Sequence, residues 1–353
     1  MNLDDLLSQT CPWLLGSGEK NGTANDDIVI ACRIRLTRNL VGFPFPIRAT
    51  ELDRYTIQDA VHHVAEEHFA EEDYYYADTQ ALSPLDREYL YERQLISREI
   101  VISERTHAVL IDRQERFNIT VNEEDHVQIN ATGSGFSPER VWEQANDIDN
   151  LFADKLDYVF HEKYGFLTSS LINVGTGMRI GTILHLPALV ITGEMDKVAR
   201  TLQKKNLTVR GLYGEGSRAY GDFFLVGNRV TLGKSEEELI AKMTDLVPQI
   251  VSFERQARSY LMNSRIDFVR NRCSQSINVL RTAQMINSVE AMLHLSNIRL
   301  GIHTELIKGI SIDTINTLLL HILPAHLQKM QGNHLSQTEQ DVVRATYIRV
   351  RIG

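Results

Sequence analysis

Phe117-Asn118-Ile119-Thr120-Val121-Asn122-Glu123-Glu124-Asp125-His126 is the stretch from which the fold and chemistry of this chain can be argued. Apolar residues alternate with polar ones at Phe117, Ile119 and Val121, the period of a strand with one buried face. Carried onward, that period predicts Asn122, Glu124, His126 and Gln128 on the opposite, open face. The strand delivers a carboxylate to a surface and runs into adjacent acids, Glu123, Glu124 and Asp125. Neighbouring carboxylates repel, so a cation is expected to face them: a metal, a Lys or Arg partner, or a cationic substrate. The plain alternative is an acidic turn at a strand end.

A second alternating segment runs from Asp27 to Leu36. Ile28, Ile30, Cys32, Ile34 and Leu36 share an apolar face that should point into a core, while Ala31, Arg33 and Arg35 share the other. Two arginines side by side on a sheet call for anions, and the guanidinium fork matches phosphate. A pair of structural salt bridges is the alternative. Arg38, on the outgoing segment, reads as a solvated or structural charge. Asn173-Val174-Gly175-Thr176-Gly177-Met178-Arg179 has glycines spaced so that a backbone can approach a ligand, and it leads into a predicted strand, Ile180 to Leu186. A turn would use the same residues. Val209-Arg210-Gly211-Leu212-Tyr213-Gly214-Glu215-Gly216-Ser217 is a glycine-rich loop between apolar runs, or a long hairpin connection. Neither has the spacing of a phosphate loop or a dinucleotide fingerprint. Phosphate binding would rest on arginines spread over several strands.

Taken in this order, Arg33-Ile34-Arg35-Leu36-Thr37-Arg38-Asn39, Asn122 to His126, Asn173 to Arg179 and Arg210 to Ser217 resemble the phosphagen-kinase superfamily of ATP:guanido kinases. Leu95-Ile96-Ser97, His185-Leu186-Pro187-Ala188-Leu189 and Leu232-Gly233-Lys234-Ser235-Glu236 add to the likeness, which spans about residues 27 to 300. The small-metabolite kinases of the superfamily carry a further N-terminal helical domain. The first arginine motif here stands at Arg33, so the chain resembles the bacterial protein arginine kinase branch. The resemblance implies an α+β fold of the phosphagen-kinase and glutamine-synthetase-like kind, a mainly antiparallel sheet flanked by helices. It implies an N-terminal extension at 1–26, a catalytic domain at 27–257 and a helical dimerisation and phosphoarginine-binding domain at 258–353.

The implied activity is transfer of the γ-phosphoryl of ATP, with Mg²⁺, to arginine side chains of proteins. A guanidinium is planar, permanently protonated and a poor nucleophile, so it must be held in line and relieved of a proton. The resemblance gives that task to Glu124. It places Arg33, Ile34, Arg35 and Arg179 on the nucleotide, together with Arg210, Gly211, Gly214 and Glu215, and assigns phosphoarginine binding to Asp341 and Arg344. By the same likeness the partners are a zinc-binding activator protein, heat-shock repressors, a Clp-type unfoldase and a second copy of the chain, in the cytoplasm.

The chain departs from the family pattern at several points. Gln128 replaces an Arg, Ser170 a reactive Cys, Arg218 a second carboxylate, Gln94 a His, and Gln340 the first Arg of an Arg-Asp-x-x-Arg-Ala signature. These departures motivate two alternatives: a weakened relative acting as a phosphoarginine- or nucleotide-binding adaptor, and a kinase of free small guanidines.

Composition bounds the classes. The chain has 353 residues, 43% hydrophobic and 24% charged, ordinary for a globular protein of about two domains. A net charge of −9 argues against general nucleic-acid binding. Cys11, Cys32 and Cys273 lack metal-ligand spacing and are expected to be reduced thiols. No apolar stretch suggests a signal peptide or membrane span. His62, His63 and His68 lack zinc-site order and read as a solvated helix face; Glu71 to Tyr76 reads as a helix end. Ser235 and Glu238 have capping-box spacing and open a predicted helix with Leu239, Met243, Leu246 and Ile250 inward. From there to Arg351 the chain is expected to be mostly helical.

Overall fold

The computed structural model describes residues 3, 11–14, 25–212 and 219–353. The strands are β1 (Val29–Arg38), β2 (Tyr74–Asp78), β3 (Ala108–Asp112), β4 (Phe117–Val121), β5 (Val127–Ser134), β6 (Phe160–His161), β7 (Gly165–Phe166), β8 (Met178–His185), β9 (Leu207–Gly211) and β10 (Phe223–Asn228). The helices are α1 (Glu51–His68), α2 (Pro84–Glu92), α3 (Arg98–Ile102), α4 (Pro138–Ala153), α5 (Pro187–Ile191), α6 (Met195–Lys204), α7 (Glu236–Ser264), α8 (Ile266–Thr282), α9 (Ser288–His303), α10 (Ile312–His321), α11 (Pro324–Gln331) and α12 (Gln337–Ile352). Eight strands make one sheet in the order β2-β3-β4-β5-β1-β8-β10-β9. The ladders from β2 to β1 are antiparallel. The expected antiparallel sheet with flanking helices and a helical C-terminal region is therefore present. No helix among the described residues is long and apolar enough to cross a membrane.

The chain divides into two compact units. One takes Met1–Trp13, Ala31–Gly181 and Gly227–Asp245, and the other Leu14–Ile30, Thr182–Val226 and Leu246–Gly353. In the first, alternation does what it predicts. Cys32, Ile34 and Leu36 are buried, as are Phe117, Ile119 and Val121 opposite Ala131, Ile129 and Val127. Helix α4 packs on β5 through a buried stripe of Val141, Ala145, Ile148 and Phe152. A Cβ at Gly133 would lie 2.8 Å from the Val141 side chain, so glycine is what admits the helix there.

The second unit holds a helical bundle in which α9 packs on α8 and α10, and α12 on α8. Helix α9 is buried along most of its length, Ala291, Met292 and Leu295 to Gly301, as expected of a helix without a polar face. The capping box at the start of α7 forms: Glu238 N–H donates to Ser235 Oγ at 3.2 Å and Ser235 N–H to Glu238 Oε2 at 3.0 Å. Leu239, Met243, Leu246 and Ile250 are all buried.

Two expectations need correction. Glu71 to Tyr76 is not a helix end; a single 3₁₀ turn at Glu71–Asp73 leads into strand β2. Aromatic side chains suit a pleated surface, and the Tyr76 ring stacks on His62 at 3.9 Å. The alternation at β4 also does not run on to Gln128. The strand stops at Val121, the chain reverses, and Gln128 lies on the neighbouring strand β5.

Candidate functional site

The register of the central strands builds one polar surface. Arg33 stands opposite Thr132, Arg35 opposite Asn130, and Thr37 opposite Gln128. On the far side of β5, Asn118 pairs with Asn130 and Thr120 with Gln128. Arg33 and Arg35 are half-buried on this face. Arg33 donates from Nη1 to Gln94 Oε1 at 3.2 Å and from Nη2 to the Gln94 carbonyl at 3.4 Å. Arg35 donates from Nε to Asn130 Oδ1 at 2.9 Å. Arg179, at the start of the adjoining β8, donates from Nε to Asn173 Oδ1 at 3.0 Å and from Nη1 to the Asn228 carbonyl at 2.6 Å. The structure thus gathers three guanidiniums on neighbouring strands and orients them through hydrogen bonds to amide and carbonyl oxygens, a fork geometry that suits phosphate. Ile34 is different: its side chain is 1% exposed on the apolar face, so only its backbone lies near this surface.

The acidic motif is a hairpin turn, and its geometry selects one acid. Asn122 takes a left-handed φ of 62°, which asparagine tolerates, and its N–H donates to the His126 carbonyl at 2.8 Å. Asp125 is fully buried, with Oδ1 accepting from Asn39 Nδ2 at 2.7 Å and from the Ser169 N–H at 2.6 Å. His126 accepts the Leu40 N–H on Nδ1 at 3.0 Å, so its proton sits on Nε2 and is donated to the Pro44 carbonyl at 2.8 Å. Burial lowers the His126 pKa, in keeping with a neutral ring. Glu123 accepts from the Thr120 hydroxyl at 3.0 Å. With these three spent on anchoring, Glu124 alone is exposed.

Asn173 ties this carboxylate to the arginine face. Its Nδ2 reaches Glu124 Oε2 at 3.5 Å, while its Oδ1 accepts from Arg179. Loss of water around the Glu124 carboxyl, followed by the charge of Asp125, raises its pKa. The Ser170 hydroxyl and Arg35 oppose that rise. Among the described residues no Lys or Arg is bonded to these acids; Asp125 is met by an amide and a backbone N–H, and Glu124 faces outward.

The glycines of the third motif make room for protein, contrary to the ligand-approach expectation. At Gly177 (φ +64°) a Cβ would lie 2.6 Å from both Arg38 Nη1 and the Thr37 carbonyl; at Gly175 (φ +115°) it would lie 2.7 Å from the Thr231 carbonyl. Arg38 is a structural charge, paired with Asp149 at 2.6 Å. Gln128 is 2% exposed, and its Oε1 and the facing Thr37 Oγ1 have no hydrogen-bond partner among the described residues.

Arg210 is exposed on β9, and Gly211 ends that strand. Gly214, Glu215 and Arg218 lie outside the described residues. In the helical region Asp341 and Arg344 do come together, at 2.5 Å, but the Arg344 guanidinium is buried and donates to the Ile322 and Ile286 carbonyls at 2.7 and 2.9 Å. In this arrangement Arg344 clamps helix ends together, and Asp341 is the more accessible of the two. Asn130, Asn173, Gln94 and Asn228 orient the arginines; the sequence marks Asn173 only as the head of a glycine motif and Gln94 only as a departure from the family pattern, and gives Asn130 and Asn228 no part. The alternation of Gln128, Asn130 and Thr132 along β5 is the signal that could have marked Asn130; nothing local marks the others for this role.

Comparison with known proteins adds to this geometry. Residues 56–257 match the family model described as ATP:guanido phosphotransferase, C-terminal catalytic domain, and residues 267–353 that described as Protein-arginine kinase McsB C-terminal domain. The chain is 37% identical over 354 residues to the protein-arginine kinase of Halothermothrix orenii, covering 100% of both. It is 38% identical over 360 residues to that of Symbiobacterium thermophilum, again over 100% of both. Among solved structures, lombricine kinase aligns with a TM-score of 0.59 at 22% identity, over 70% of this chain and 72% of that one. A duplicated taurocyamine kinase from Schistosoma mansoni gives 0.62 at 19%, over 87% of this chain and 50% of that one. At such identities the structures speak for the fold alone.

Proposed function

The chain belongs to the ATP:guanido phosphotransferases, in the branch of the protein-arginine kinases, and from that premise we propose that it transfers the γ-phosphoryl of ATP to arginine side chains of proteins. The observation that carries the site assignment is Glu124, an outward carboxylate joined through Asn173 to Arg179 on an arginine-lined sheet face. Arg33, Arg35 and Arg179 would hold the nucleotide phosphates, and magnesium brought in with the nucleotide would supply neutralisation of the phosphate charge. Glu124 grips two N–H groups of the substrate guanidinium, holding one nitrogen in line with the γ-phosphorus. As the N–P bond forms, the bond from that phosphorus to the β,γ-bridging oxygen breaks and ADP leaves. The proton lost by the attacking nitrogen passes to Glu124. Arg210 and Gly211 belong to the nucleotide side in this proposal.

The remaining expectations stand as proposals on the family likeness: a catalytic region at 27–257, a helical region at 258–353 that pairs with a second copy, a zinc-binding activator, a Clp-type unfoldase taking the marked proteins, and a cytoplasmic setting. The test is direct. The pure protein is incubated with Mg-ATP and an unfolded arginine-containing protein, and the product examined by phosphorus NMR and by mass spectrometry at neutral pH. Acid-labile phosphate on arginine is the expected result; transfer to free arginine in preference would favour a small-guanidine kinase, and nucleotide binding without transfer an adaptor.

Gln128 is the observation that favours the adaptor, because a buried amide stands where the family has a cation. Gln128→Arg is expected to tighten ATP binding by about ten-fold or more, since one charge-assisted contact contributes about 1.5–3 kcal/mol. Unchanged affinity in a titration would mean that Arg33, Arg35 and Arg179 already satisfy the phosphates.

A further inference from the structure

A buried hydrogen-bonded chain in the second unit has no part in the mechanism above. Asp222 Oδ2 accepts from the Ser296 hydroxyl at 3.0 Å, and Ser296 Oγ in turn accepts from His185 Nε2 at 2.8 Å. His185 Nδ1 accepts from Arg299 Nη1 at 2.8 Å. Arg299 is fixed from behind by the carbonyls of Asp27 and Asp26, at 2.8 and 3.2 Å. All four side chains are buried: His185 and Ser296 at 0% exposure, Arg299 at 1% and Asp222 at 6%. Donor directions agree along the whole chain. Arg299 has only donors, so His185 must present a bare Nδ1, carry its proton on Nε2 and pass a donor to Ser296, whose own proton goes to Asp222.

Burial and the Arg299 charge push the His185 pKa well down, which keeps this ring neutral. The chain does not titrate as a switch; it is a fixed tie. Its two ends lie far apart in sequence. Ser296 and Arg299 belong to α9, while Asp222 sits where β9 returns into β10.

That return is strained and held from one side. Gly221 and Asp222 are both left-handed, at φ 67° and 61°, a region uncommon for residues other than glycine, though aspartate enters it more readily than most. A Cβ at Gly221 would stand 3.1 Å from the Met292 carbonyl of α9. The Asp222 carbonyl accepts the Leu186 N–H at 2.9 Å, the Phe223 ring stacks on His185 at 4.7 Å, and the Phe223 carbonyl accepts the Leu212 N–H at 2.9 Å. Leu212 directly follows β9, which carries Arg210. We infer that Arg299–His185–Ser296–Asp222 is a positioning device: α9 of the helical region holds the return of the β9–β10 connection, and with it Arg210, in the conformation that receives the nucleotide.

The inference rests on the nucleotide-side role proposed above for Arg210. Its test separates the two readings by measuring ATP affinity directly, with a fluorescent ATP analogue, beside KM, kcat and the melting temperature. Ser296→Ala removes the link between Asp222 and His185. ATP binding is expected to weaken about three- to ten-fold, the range for one lost hydrogen bond of ordinary strength, with kcat and the KM for protein substrate changed less. Asp222→Asn keeps an accepting oxygen and is expected to shift affinity the same way by a smaller factor.

A loss of kcat with unchanged ATP affinity would overturn the inference, because that is what mere loss of folded enzyme gives. Two folded variants that bind ATP like the wild type would overturn it as well. Should Ser296→Ala fail to fold, Asp222→Asn decides by the same readout. A wild type that binds ATP, loses affinity in these variants and yet phosphorylates no arginine would sink the kinase reading while leaving this one in place.

Discussion

Glu124→Gln is expected to slow phosphoryl transfer to arginine by about 10²–10⁴-fold, the contribution of a positioned general base. Glutamine has nearly the same shape and can still accept one guanidinium N–H, but it cannot take the proton. The argument for Glu124 over its neighbours is geometric. Asp125 is buried against Asn39 and Ser169, Glu123 is turned back to Thr120, and His126 is locked as a neutral ring between Leu40 and Pro44. Because Glu124 is exposed, the variant should melt like the wild type and bind ATP normally. The pH profile gives an independent check. The Glu124 pKa is raised by lost hydration and by Asp125. Below that pKa the carboxyl is protonated and cannot act as a base, so the rate should fall with falling pH through a midpoint above the ordinary carboxylate range. Following ADP release keeps the assay independent of the acid-labile product. In Glu124→Gln this limb should be missing; a variant that keeps both rate and limb would remove Glu124 from the mechanism.

What could be foreseen and what could not divides along physical lines. The burial of Cys32, Ile34 and Leu36 and the exposure of Arg33 and Arg35 to the polar face follow from a two-residue period, which the sequence displays directly. The hairpin at Asn122 did not follow, because alternation carries no mark of where a strand reverses. The informative residue was Asn122 itself, a side chain that tolerates a left-handed turn. The glycines at 175 and 177 look alike whether a ligand or a neighbouring chain fills the space beside them; here it is Arg38, Thr37 and Thr231. Long-range pairings left no local trace. Cys11 is fully buried and donates to Glu115 at 3.6 Å, although it falls within the stretch expected to be a mere extension. Arg344 carries a signature residue for phosphate, yet three acceptors from distant turns and its own helix enclose it. A motif specifies which residue is kept, and the surrounding carbonyls decide what it can still bind.

Asp149→Ala should be among the most destabilising single changes in the first unit, costing about 3–5 kcal/mol, the range for removing one partner of a buried ion pair. The Arg38 side chain is 2% exposed and that of Asp149 11%. Arg38 donates to Asp149 from Nε at 3.1 Å and from Nη2 at 2.6 Å, and its guanidinium lies 3.6 Å from the Phe166 ring centroid. Without the carboxylate, a full charge stays between an aromatic ring and backbone with no water to hydrate it. The loss should extend to activity. Arg38 Nη1 also holds the carbonyls of Thr37 and Thr176, at 2.9 and 3.0 Å, and so pins β1 to the segment that delivers Arg179. Denaturant unfolding measures the first effect and ATP titration of the folded fraction the second. The double variant Arg38→Met with Asp149→Leu separates them. Replacing both charges by apolar groups should recover most of the stability, since no buried charge is left unpaired. It cannot restore the tie to Thr176, so ATP affinity should stay weak. Recovery of both together would mean that the pair serves stability alone, and that the chain from Asn173 to Arg179 is positioned by Asn228 and the sheet without it.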